Sequence, residues 1–149
     1  MKLLIASDHA GFALKEKLKH KAAILGVTFE DLGTDSENSV DYPDYAKLVC
    51  EKLLRDQNNT LGVIVCGSGV GVSIAANRYA GIRAVLAESE EVAKLGREHN
   101  HANVLCMGSR IVSEEKATAI LKAFLSAQPE AGERHLRRIE KLGKEGKTS

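Results

Sequence analysis

The chain has 149 residues, 44% hydrophobic and 28% charged, enough for one domain with a core of its own. A net charge of +1, only 4% aromatics and no Trp speak against a nucleic-acid partner or a base-stacking platform. No apolar stretch approaches the ~20 residues of a membrane span, and Lys2-Leu3-Leu4-Ile5-Ala6 at the start lacks the long apolar region of a secretory signal.

Short apolar runs then alternate with helical stretches. Residues 3–6 read as a first strand, and 12–25 as a helix with Leu14, Leu18, Ala22 and Leu25 on one face. Residues 27–32 alternate, with Val27 and Phe29 on one side, which predicts an edge strand. A polar loop from Gly33 to Asp41 leads to a helix over 43–55, opened by Pro43 and closed by Gln57-Asn58-Asn59. The third strand, 61–65, is a β-branched apolar run that predicts full burial. A glycine loop and a helix to Ala80 follow, then a strand over 82–87, a helix over 88–98 and a loop at His99-Asn100-His101-Ala102. The last strand spans 103–107, Gly108-Ser109-Arg110 turns the chain, and a helix covers 113–127. Beyond the breaker Pro129-Glu130-Ala131-Gly132, residues 133–144 are strongly charged, with Leu136, Ile139 and Leu142 as a thin apolar stripe. Such a stripe suits docking on the body or on a second subunit. Residues 146–149 are expected to fray.

Strands alternating with helices imply βαβ units and a three-layer α/β/α fold, a Rossmann-like doubly wound parallel sheet of five strands with a C-terminal helix. The expected strand order is 2-1-3-4-5, in one domain over 1–149. The ligand crevice of such a sheet lies beyond the carboxyl ends of strands 1 and 3, where the order reverses. Ser7-Asp8-His9-Ala10-Gly11 follows the first strand and Cys66-Gly67-Ser68-Gly69-Val70-Gly71 the third. Topology therefore makes neighbours of two segments far apart in sequence.

The glycines let the backbone bend and leave N–H groups uncovered at a helix start, where orphan donors and the helix dipole make an anion site. A thiol beside such a site ionises more readily than a free one. A base next to an anion hole is what proton abstraction α to a carbonyl requires, and Cys66 is the candidate. Two other readings stay open: tight strand–helix packing alone, or a nucleotide site. A dinucleotide fingerprint needs G-x-G-x-x-G after the first strand, and here Val72 stands where its last glycine belongs.

Asp8 and His9 read equally as a cap of the next helix and as ligand contacts. On spacing alone, His99 and Asn100 read as a helix end, and a His-Asn-His loop without partner ligands is a weak metal signal. Arg134 and Arg138, four apart, share one helix face and fit either a phosphate or a solvated basic surface. Arg110 falls at the ligand-facing edge. Cys50 and Cys106 read as core, His20 as solvated. Three scattered cysteines suit reduced thiols of the cytoplasm better than a disulfide framework.

Taken together, the segments resemble the type B ribose-5-phosphate isomerases, in the sugar-phosphate isomerase family that also holds galactose-6-phosphate and allose-6-phosphate isomerases. The match runs over almost the whole chain. It takes in Ser7-Asp8-His9-Ala10-Gly11-Phe12, Asp41-Tyr42-Pro43-Asp44-Tyr45-Ala46, Cys66 to Gly71, Ser73-Ile74-Ala75-Ala76-Asn77 and Gly81-Ile82-Arg83-Ala84. His99-Asn100, Asn103-Val104-Leu105, Gly108-Ser109-Arg110 and Arg134-His135 continue it.

The resemblance implies an aldose–ketose isomerase that passes through an enediolate. Cys66 would take the proton from C2 of the sugar and return it at C1. Gly67, Ser68, Gly69, Val70 and Gly71 would hold the enediolate oxygen through their N–H groups. His99 would help open the furanose ring, and Asp8 would bind a hydroxyl. His9, Arg134 and Arg138 would hold the phosphate, with Asn100 and Arg110 completing the contacts. A pocket shared between subunits, hence a homodimer or dimer of dimers, is also implied, as are the absence of a metal and of a cofactor. The chain departs from the family's pattern at Ser68, where Thr is frequent, and at Glu133, where glycine is common. The segment Ser73-Ile74-Ala75 lacks the glutamate that some members use as base. A six-carbon sugar phosphate as substrate and a non-catalytic nucleotide- or phosphate-binding module are the alternatives.

Overall fold

The computed structural model describes residues 1–144, so the expected fraying of 146–149 lies outside the described residues. Apolar alternation and helical stretches resolve into β1 (Lys2–Ser7), α1 (Phe12–Ile24), β2 (Thr28–Asp31), α2 (Tyr42–Arg55), β3 (Thr60–Cys66) and α3 (Val70–Asn77). They continue with β4 (Ala84–Leu86), α4 (Glu90–Asn100), β5 (Val104–Gly108), α5 (Glu114–Ser126) and α6 (Glu133–Lys144). Every pairing is parallel. No helix among the described residues is long and apolar enough to cross a membrane.

The strand order is β2-β1-β3-β5-β4, which corrects the expected 2-1-3-4-5 at one edge. The reason is burial. Val104, Leu105, Cys106 and Met107 of β5 are wholly buried, and such a strand needs neighbours on both sides. Three-residue β4 is only half-buried and suits an edge. The chain thus steps outward from β3 to β4 and back to β5, and right-handed crossovers in opposite directions put α3 and α4 on opposite faces. Leu14 and Leu18 of α1, Ala93 of α4 and Ile120 and Phe124 of α5 pack on Leu3, Ile5, Val63 and Leu105. Val49 and Leu53 of α2 and Val72 and Ala76 of α3 pack on Leu4, Ala6, Ile64 and Cys106.

β4 is shorter than the expected 82–87 because side chains take its flanking backbone groups. Asn77 accepts from Ala84 N–H (2.8 Å) and donates to Ala84 O (3.0 Å), and Asn103 Oδ1 accepts from Arg83 N–H (2.8 Å). Conversely α4 runs past the expected 98 and takes in His99 and Asn100. It closes on His101 in the left-handed region (φ +48°), with Ala102 N–H reaching back to Gly96 O at 2.9 Å. Leu25, expected on the buried face of α1, is 42% exposed at its C-terminal end. The stripe on α6 also stays open, with Leu136 and Leu142 about half exposed.

The core also holds a lysine. Lys15, on α1, is fully buried, and its Nζ donates at 2.7 Å to both carboxylate oxygens of Asp31 and to Thr34 O. Asp31 also accepts from Lys19 (2.7 Å) and from Gly33 N–H (2.9 Å). Burial pushes the Asp31 carboxyl up, but the hydrogen bonds from Lys15, Lys19 and Gly33 outweigh it and hold it below the ordinary carboxylate value. A depressed folded-state value contributes stability above the unfolded pKa of about 4 and loses it as pH falls through the lower folded value. Lys15→Ala is expected to cost about 3 kcal/mol in urea unfolding at neutral pH. Asp31→Asn should flatten the loss of stability below about pH 4.

Candidate active site

At the carboxyl edge of the sheet, β1 and β3 run side by side to the Ser7–Val65 pair and then diverge. Asp8 is buried, and its Oδ1 accepts from Gly11 N–H at 3.0 Å, bracing the turn into α1. Gly11 presses on the β3 backbone so closely that an added Cβ would lie 2.4 Å from Val65 O. His9 Nδ1 lies 3.2 Å from both the N and the O of Val40, which fixes the ring against the long loop before α2.

Cys66 ends β3 and is 4% exposed. The chain then folds over itself through Gly69 at φ +77°, a conformation that L side chains rarely adopt, and α3 begins. Gly69 N–H donates to Cys66 Sγ (3.2 Å) and Val70 N–H to Ser68 Oγ (3.2 Å). Ser73 N–H donates to Gly69 O (3.1 Å). The N–H groups of Gly67, Ser68, Gly71 and Val72 have no hydrogen-bond partner among the described residues. The result is a row of bare amides beside one sulfur, at the start of a helix.

The turn after β5 braces this loop from the far side. Ser109 N–H donates to Cys66 O and Arg110 N–H to Gly67 O, both at 2.9 Å, while Ser109 Oγ donates to Ala10 O at 2.8 Å. Arg110 thereby lies across Gly67, with Nη1 3.0 Å from where a Cβ would stand. The Tyr42 ring covers Gly71 in the same manner. Cys50 lies within α2 and Cys106 within β5, whereas Cys66 ends its strand. Burial, helped by Glu51, pushes the Cys50 thiol up to about 12, and burial pushes Cys106 up as well. Both are core thiols, as their positions in the sequence suggest.

The remaining nominated residues gather at the opposite edge. His99 and Asn100 close α4 just before β5 begins at Val104, whereas Cys66 pairs with Gly108 at the other end of β5. At ~3.3 Å per residue that strand separates them by roughly 16 Å. The His99 ring stacks on His135 of α6, with centroids 4.4 Å apart and planes within 8°. Glu130 Oε2 lies 3.4 Å from His135 Nε2 and 3.8 Å from His99 Nε2. Burial, His99, Arg134 and Arg138 pull the His135 value below that of a free imidazole, against the opposing pull of Glu130. One chain therefore brings Asp8, His9, Cys66, Gly67, Ser68, Gly69, Val70, Gly71 and Arg110 together, and His99, Asn100, Arg134 and Arg138 elsewhere. A cavity of about 670 Å³ between α6 and the turn before β4 reaches Asn100 and Leu142, not Cys66.

His99, Glu130 and His135 present donor atoms within 4.8 Å of one another. Parallel rings cannot aim both in-plane lone pairs at one ion, so metal binding there requires breaking the stack. The sequence offered little sign of Glu130 or of the covering ring of Tyr42. Glu130 sits in a helix breaker, and only the fold shows the breaker doubling back, with Glu130 N–H on Glu98 O at 2.9 Å.

Comparisons with known proteins bear on the family and the fold. The family described as Ribose/Galactose Isomerase matches over residues 3–142. Ribose-5-phosphate isomerase B of Escherichia coli is 43% identical over 141 residues, 95% of this chain and 93% of that one. A crystal structure of a ribose 5-phosphate isomerase from Thermotoga maritima superposes with a TM-score of 0.92 at 49% identity, covering 96% of this chain and 97% of the other. Ribose-5-phosphate isomerase B from Mycoplasma genitalium, solved with bound ribulose-5-phosphate, gives 0.93 at 40% identity over 99% and 97%. With matches of this length and identity over a common three-layer sheet, the chain belongs to the ribose/galactose isomerase family.

Proposed function

We propose that the chain interconverts ribose 5-phosphate and ribulose 5-phosphate through an enediolate, with Cys66 as the base. The observation that carries this reading is Cys66 Sγ, which accepts from Gly69 N–H at 3.2 Å in a loop whose Gly67, Ser68, Gly71 and Val72 N–H groups have no protein partner among the described residues. The sulfur takes the proton from C2 and delivers it to C1, while the hydroxyl proton of O2 passes to O1. Nothing is oxidised or reduced overall. The bare amides meet the negative oxygen of the enediolate. One such donor is worth about 2.7–4 kcal/mol, while a general base supplies ~10²–10⁴-fold, so the loop contributes at least as much as the thiol.

Asp8 binds a hydroxyl, His99 assists ring opening, and His9, Arg134 and Arg138 hold the phosphate with Asn100 and Arg110. Those groups act together only when a second copy of the chain brings its His99–Arg138 edge over the Cys66 loop. Apolar surface supports this: Val70 and Ile74 on α3 are 46% and 59% exposed, and Leu136 and Leu142 on α6 are 46% and 54% exposed. We therefore propose a homodimer, or a dimer of dimers, with shared sites, acting in the cytoplasm on a small sugar phosphate.

Cys66→Ala is expected to lower turnover of ribose 5-phosphate by at least ~10²-fold while leaving binding of unreactive ribitol 5-phosphate in place. Near-native rates remove Cys66 as the base. Parallel assays on allose and galactose 6-phosphates check the substrate, and faster turnover of either replaces the five-carbon reading. Mixing inactive Cys66→Ala and His99→Asn chains should restore about a quarter of native activity, since a mixed dimer rebuilds one of its two sites. No recovery after subunit exchange speaks against shared sites.

A further inference from the structure

Behind the His99–Asn100 segment lie two half-buried guanidiniums that have no part in the chemistry above. Arg83, in the turn before β4, donates from Nε to Asn100 O (3.0 Å) and His101 O (3.2 Å). Arg97, on α4, donates from Nη1 to Ala102 O (2.8 Å) and stacks on the Phe124 ring at 5.6 Å. Three consecutive carbonyls are thus held by two arginines, and neither meets a carboxylate among the described residues.

Keeping two like charges close and partly out of water is unfavourable. Burial pulls both below the ordinary arginine value, and the charge of Arg83 adds to this at Arg97. What offsets the cost is the end of α4, whose last carbonyls lack intrahelical partners and carry the negative pole of the helix. The same pole argues against an outside anion in the 280 Å³ cavity that both arginines line. The backbone of Arg83 is itself clasped. Its N–H donates to Asn103 Oδ1 (2.8 Å), and Asn103 Nδ2 donates to Gly81 O (2.9 Å). The side chain is therefore anchored at its root and spans a fixed gap to the helix end.

We infer that Arg83 is a positioning residue that sets where His99 and Asn100 stand, and through them the ring-opening step. The inference rests on the proposed isomerase reading. Ring opening is needed by cyclic ribose 5-phosphate but not by ribulose 5-phosphate, which has no free 5-hydroxyl with which to close a furanose. Proton removal from C1 of the ketose can therefore be followed separately, as solvent deuterium entering C1 in D₂O.

Arg83→Gln is expected to lower kcat on ribose 5-phosphate by about 10- to 100-fold, the cost of a small misplacement. At saturating ribulose 5-phosphate, deuterium uptake at C1 should stay within about threefold, because Cys66 and its amides are untouched, while affinity for ribitol 5-phosphate falls as Asn100 shifts. Arg83→Lys, which keeps a cation that reaches one carbonyl, should recover part of the loss. The Cε1–H NMR signal of His99 should move in the Gln variant. Unchanged kcat, or kcat and exchange falling together, overturns the inference. If Arg83→Gln does not fold, Arg97→Lys is measured in the same way. A wild-type chain inactive on ribose 5-phosphate sinks the function instead, and the His99 signal then decides the positioning role by itself: movement supports it, an unmoved signal overturns it.

Discussion

All five strands point the same way, and this shared direction constrains everything built on the sheet. It sends each strand's outgoing loop to one edge and each helix's outgoing loop to the other. Cys66 leaves β3 at the first edge, and His99 leaves α4 at the second. No side-chain rotamer closes a gap of roughly 16 Å. A reaction that used both residues would have to draw on two copies of the chain, which is the ground of the proposed dimer.

The same sheet explains why the loop after β3 is braced without being self-satisfied. It rests on the end of β5, with Gly108 so close that an added Cβ would stand 2.4 Å from Ser68 C. Ser109 and Arg110 occupy the outward carbonyls of Cys66 and Gly67. Acceptors are thus consumed while several donors are left over. An excess of fixed donors at a helix start suits the stabilisation of negative charge that the proposed reaction requires, and would cost no reorganisation when that charge appears.

Much of this could be read from residues alone. The continuous β-branched run before Cys66 located the central strand, and the switch-point rule made neighbours of Asp8 and Cys66. The helix expected at about 133–144 appears as α6. What could not be read were the features set by distant partners. The exchange of β4 and β5 depends on which strand is buried on both sides, and an isolated run such as 82–87 looks as apolar as 103–107. The burial of Lys15 depends on Asp31, sixteen residues on, and a lysine in a helix pattern looks like surface. His99 joined α4 because His101 takes the left-handed position that glycine normally fills.

Of the three thiols, position singles out Cys66 as the proposed base. Cys50 and Cys106 are wholly buried, with no donor aimed at either sulfur among the described residues, and burial raises the value of each. Cys66 is nearly as buried, yet it ends its strand, so its surroundings change within one residue from packed aliphatics to open amides. Burial and reactivity are thus compatible. The apolar side excludes water, which would weaken each electrostatic contact, while the amide side supplies the polar partners that water would otherwise provide. Moving the sulfur one residue back would turn it to the other face of the sheet, away from the loop amides. One residue further on, the position of Gly67, a side chain would crowd the Arg110 guanidinium, 3.0 Å from the added Cβ. The end of β3 is the one place along this segment where a thiol has both surroundings at once.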